Sequence, residues 1–169
     1  MMSLSSSSLN QFVIQHTLKA MGICSKAIEN LLLGTAAAQE DLMSQSEIST
    51  GIGVYGISKE THCRLWDDYL ALDPDLASEV RGLASQHEFL KHPHIELATN
   101  LAYATAIAWM IYKRGGVTLP HPDDIEGLAQ CWVDHFVKNS DADQAKQPFI
   151  DTFVNSYRKM EQDDPSLAA

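Results

Sequence analysis

The sequence predicts an all-α protein with one helix buried at its centre and little or no β-strand. Three observations carry this. Apolar residues recur at helical spacing through most of the chain, strand-type alternation is nearly absent, and cap or stop residues fall between the periodic segments. The helix after Ser25 is apolar on most of its circumference beyond Asn30, which marks it as the central one.

The elements follow in order. Residues 1–8 are Ser-rich and are expected to be flexible. Leu9, Phe12, Val13, His16 and Ala20 sit at helical spacing, and Gly22 ends that helix. Ser25 caps the central helix, which is expected to end at Glu40. Its Ala36, Ala37 and Ala38 allow a neighbouring helix to approach closely. Residues 41–57 carry Gly51, Gly53 and Gly56 among serines and read as a loop with a short extended piece at 52–55. Ser58 restarts a helix to about residue 72. Asp73-Pro74 starts the next, to about residue 85. Residues 86–94 form a turn region around Pro93. One long helix is expected over 95–114, stopped by Gly115-Gly116. Asp123 is expected to cap a helix to about residue 137. A last helix carries Phe149, Phe153, Tyr157 and Met160 on one stripe. A single domain over residues 9–161 follows, with a polar, frayed tail over 162–169.

Composition narrows the function. The chain has 169 residues, 45% hydrophobic, with 22 acidic against 12 basic side chains and a formal net charge of −10. Such a surface repels phosphate backbones and anionic lipid, so neither nucleic acid nor membrane is an expected partner. The longest apolar stretch, residues 97–112, is interrupted by Thr99, Asn100 and Thr105 and reads as a core helix. Cys24, Cys63 and Cys131 are odd in number and lack C-x-x-C spacing, which argues for a reducing compartment and no disulfide framework. No secretory signal pattern opens the sequence, so synthesis in the cytoplasm is expected.

The chemistry concentrates in residues 31–62, LLLGTAAAQEDLMSQSEISTGIGVYGISKETH. A buried helix leads to Glu40, and a Gly-rich loop follows. A carboxyl at the lip of an apolar core is partly desolvated, which favours its protonated form and suits a general acid at a glycosidic oxygen.

The segment Gly53-Val-Tyr-Gly-Ile-Ser-Lys-Glu-Thr61 after Glu40 resembles the Gly-Leu-Met-Gln segment of the lysozyme-like superfamily, of the soluble lytic transglycosylase and goose-type lysozyme kind. It is also similar to phage and prophage proteins with the same Gln-Glu and Thr-His pairs. The resemblance covers roughly residues 28–70. It implies a lysozyme-like fold, Glu40 as single catalytic acid and base, and Gly53, Tyr55 and Tyr103 shaping a cleft for peptidoglycan glycan strands. It implies no cofactor. The sequence departs from the family's pattern at Asp41, where Ser is usual, and at Gly56, where a cleft-facing Gln is usual. It departs again at Ser58-Lys59, which lacks a proline, and at Trp132-Val-Asp-His-Phe136, where a Tyr-Asn segment is expected. These departures carry the alternative: a catalytically inactive lysozyme-like structural or interaction protein, virion-associated or contacting its own copies.

Other readings stand beside these. Asp41 and Glu47 are the local candidates for a second carboxylate, with a solvated loop role as the alternative. Tyr55 and Tyr103 fit core packing as well as a cleft. His87, His92 and His94 lack H-E-x-x-H spacing, so no metal site is expected. Cys63 and Cys131 read as small core residues, and Trp66, Trp109 and Trp132 as core faces.

Overall fold

The central helix organises everything else. In the computed structural model, which describes residues 4–45, 51–137 and 146–168, α3 (Lys26–Gln45) buries Ala27, Ile28, Asn30, every residue from Leu31 to Ala36, and Ala38. A helix apolar all round is stable only when covered on every side. The cover comes from α8 (Leu101–Arg114), α9 (Ile125–His135), α10 (Gln147–Asp163) and the N-terminal helical stretch. That stretch runs from α1 (Ser6–Ser8) through a π-helical turn (Leu9–Ile14) into α2 (Gln15–Ala20). The fold is all-α, and among the described residues the only β-type pairing is the isolated bridge Ile52–Ile57. No helix among the described residues is long and apolar enough to cross a membrane.

Two close approaches fix the packing. A Cβ on Gly34 would lie 2.2 Å from the Phe153 ring, so α10 lays an aromatic ring directly on the backbone of α3. Inside the helix layer, Thr35 returns its hydroxyl to Leu31 O at 2.7 Å and accepts from the buried Tyr112 hydroxyl at 2.7 Å. Tyr55 repeats the device on Thr105, at 2.9 Å, while Thr105 bonds to Leu101 O. Burial pushes both phenols far above their usual range.

Several expectations shift. α3 does not end at Glu40 but continues to Gln45, because Leu42 packs on the core and Asp41 accepts a hydrogen bond from Ser156 of α10. The helix expected over 95–114 is broken at Asn100. There α7 (Glu96–Thr99) ends, and the Asn100 side chain caps α8 by accepting from Tyr103 N. Asn100 also donates to Leu83 O and to the Glu96 carboxylate, both at 2.8 Å. Glu96 is buried and accepts the Ser85 N–H at 3.1 Å, which ties the turn after α5 (Pro74–Gly82) to this elbow. Asp124, not Asp123, caps α9. At the ends, helix begins by Ser6, and a 3-10 turn (Pro165–Ala168) buries Leu167 against the core. The expected caps at Ser25, Ser58 and Asp73 are in place.

Candidate functional site

Residues 51–57, which lead into α4 (Lys59–Asp68), form a tight turn. Ile52 and Ile57 exchange backbone hydrogen bonds at 2.9 and 3.1 Å, and Gly56 N closes the turn on Gly53 O at 3.0 Å. Gly53 has φ +72°, and a Cβ there would stand 1.9 Å from Leu97 O. Glycine is required at this point by contact with α7, a demand independent of any ligand.

Two pockets flank the end of α3. The first, about 320 Å³, has Leu33, Ala36, Ala37, Glu40 and Met43 along one stripe of α3, with Gly53, Val54, Leu4, Ser6 and Leu9 opposite. It brings Glu40 and Gly53 together. Among its described lining residues the polar groups are few, and Glu40 is the only titratable side chain. Glu40 is exposed, so the partial desolvation expected for it is not present in this structure. Leu33, Ala36, Ala37, Glu40 and Met43 recur at the three- and four-residue spacing of a single helix face.

The second pocket, about 210 Å³, lies beside Gln39 and Leu42, where the turn residues Gly56 and Ile57, the α4 cap Ser58 and the α4 residue Thr61 meet Ile111, Phe136 and Val137. A Cβ on Gly56 would come 2.9 Å from Gln39 Oε1, so the Gln39 side chain occupies the space that a side chain at Gly56 would fill. This pocket offers an amide, two hydroxyls and an aromatic edge. Among the described residues that line it, no side chain is titratable. These side chains can bind through hydrogen bonds, and none of them passes a proton in the physiological range.

The two tyrosines go elsewhere. Tyr55 and Tyr103 are fully buried and line neither pocket. Tyr55 is spent on Thr105. Tyr103 takes the Trp66 indole N–H at 2.9 Å and meets His62 Nε2 at 2.7 Å. Burial raises the Tyr103 phenol well above its usual value, against the lowering effect of the Trp66 hydrogen bond. His62 is buried beside Tyr103 and His94, and desolvation together with the neighbouring His94 charge lowers its pKa to about 4. Cys63, expected in the core, is exposed, whereas Cys131 is buried. Asp41 is held by Ser156, and Glu47 lies outside the described residues. Among the described residues, no group of three or more His, Cys, Asp or Glu is arranged to hold a metal ion.

Sequence reasoning missed Gln39 and Phe136 as neighbours. The signal was present in the heptad arithmetic of α3: residues 39 and 42 share one stripe, and 33, 36, 40 and 43 another. No family model, curated protein or solved structure matches this chain.

Proposed function

We propose that this chain is a lysozyme-like interaction protein that binds cell-wall glycan and does not cleave it. The observation that supports this is the second pocket. The loop that resembles the family's glycan-lining segment meets α3 at Gln39, an amide, and among the described residues that line the site no side chain is titratable. Glycan cleavage needs a proton donor within reach of the scissile oxygen. Sugar binding needs only hydroxyl and amide partners with an aromatic edge, which Ser58, Thr61, Gln39 and Phe136 supply. In a phage virion or prophage setting such a protein holds its assembly against the wall.

A second reading is favoured by one observation: Glu40 and Gly53 share the wall of the first pocket. On that reading the chain is a muramidase or lytic transglycosylase with Glu40 as acid and base. Substrate closing over the pocket would then remove water from an exposed carboxyl.

The test is incubation with insoluble peptidoglycan of several wall types, with sedimentation and mass analysis of the supernatant. The binding reading expects wild type to co-sediment and release no muropeptides, and Phe136→Ala to weaken retention on the order of tenfold. Anhydro-muropeptides from wild type, lost in Glu40→Gln, would establish the transglycosylase. Reducing-end products lost in the same variant would establish a hydrolase. Absence of both release and retention would remove glycan as the partner.

A further inference from the structure

The first pocket joins a floor of core residues to a charge left without a partner. Leu9, Leu33 and Ala36 line it and are buried, and the half-buried Val54 and Met43 form its walls. Among its described lining residues the polar side chains are the Ser6 hydroxyl and the Glu40 carboxylate. Lys26, Arg64, Arg114 and Lys146 pair with other carboxylates, and among the described residues no basic side chain pairs with Glu40.

Size and chemistry define what fits. A volume of about 320 Å³ is at the small end of the range for ligand pockets and suits a body on the order of ten non-hydrogen atoms. The aliphatic walls gain by covering apolar surface and give a polar body nothing to bond to. At the rim the charge decides. An ammonium group meets an unpaired carboxylate there, with three N–H donors to give. A carboxylate ligand meets a like charge, on a chain whose formal net charge is already −10. A neutral alcohol keeps the apolar contact and forgoes the ion pair. The unbranched Met43 side chain can rearrange to follow the shape of the hydrocarbon.

We infer that the first pocket binds small primary amines with an apolar body of about eight carbons, the hydrocarbon lying against Leu33, Ala36 and Val54 and the ammonium group resting on Glu40. In this role Glu40 supplies a fixed charge and transfers no proton. The inference rests on the first pocket alone and is independent of glycan at the second.

The experiment titrates the native protein with octylammonium, octanol and octanoate, which share one hydrocarbon body and differ in charge, and follows backbone amide ¹H–¹⁵N spectra. Saturable shifts are expected at Ala36, Ala37, Gly53 and Val54. Octylammonium is expected to bind about three- to fivefold tighter than octanol, the gain of one ion pair near a protein surface, and octanoate more weakly than octanol. Each methylene removed from the amine should weaken it about fourfold. Glu40→Gln should bring the amine down to the alcohol and leave the alcohol unchanged. Ala37→Leu, which puts a larger side chain into the pocket, should weaken both on the order of tenfold. If that variant does not fold, Glu40→Gln and the map of shifts in wild type decide. Equal affinity of amine and alcohol for wild type would overturn the proposal. So would an amine affinity untouched by Glu40→Gln, shifts that map away from the pocket, or no saturable shift at all.

Discussion

Gln39 and Glu40 are neighbours in sequence and belong to different places in the molecule. One step along an α-helix turns a side chain by about 100°. Gln39 therefore reaches into the hydroxyl-bearing pocket at Gly56 and Phe136, while Glu40 stands at the rim of the apolar pocket with Leu33 and Met43. A motif read along the chain cannot tell these two positions apart. The comparison teaches that the side chain facing a site is chosen by the phase of the helix, and that phase is set by what the rest of the helix buries.

The same contrast runs through the loop beside them. Gly53 and Gly56 both have positive φ, yet they differ in what their missing side chains leave room for. Gly53 makes way for the backbone of α7, and Gly56 for the movable end of Gln39. The largest effect is accordingly expected at Gly53. Gly53→Ala must both strain the backbone and displace Leu97 O, at a cost of about 3 kcal/mol or more. Gly82→Ala is the reference. A Cβ there meets nothing within 4 Å at the end of α5, so thermal unfolding of that variant should show no loss, and a gain of about 0.5 kcal/mol. Equal losses in the two variants would remove the close approach to α7 as the reason for glycine at 53.

A smaller effect separates the buried polar chain from the open pockets. The folded protein takes a proton at His62 only near pH 4, whereas the unfolded chain takes it near 6.5. Unfolding thus binds a proton in this window, and stability falls as the pH drops from about 6.5 towards 4, by at most about 3 kcal/mol. Urea midpoints across that range should show the slope, and His62→Gln should flatten it. A slope unchanged in the variant would assign acid sensitivity to other groups. The smallest effect is expected at Glu40, an exposed side chain: Glu40→Gln should change stability by less than about 0.5 kcal/mol, so any loss of glycan cleavage in that variant would be chemical and not structural.

Much of the fold was legible in the sequence. The run from Leu31 to Ala38, apolar but for Thr35, announced a central helix, and Ser58 and Asp73 announced their caps because one side-chain oxygen and one backbone N–H suffice for each. The helix over 95–114 was harder. Its apolar spacing is continuous through Asn100, and the break is set by the distant partners Leu83 and Glu96. The end of α3 was misplaced for a similar reason, since Asp41 is carried into the helix by Ser156, 115 residues away. The site was legible in part. The pairing of Glu40 with a glycine of the loop followed from local order, whereas the burial of Tyr55 and Tyr103 depends on Thr105 and Trp66, which only the folded chain brings near.

The elbow at Asn100 has a kinetic side. Ser85 lies in a turn open to water, yet its amide hydrogen points at the buried carboxylate of Glu96, which also receives the Asn100 side chain. Solvent reaches that hydrogen only when α7 separates from the turn. Isotope exchange at this one surface amide is therefore a clock for the opening of the interior, and it ticks at the rate of the elbow and not of the turn that carries it.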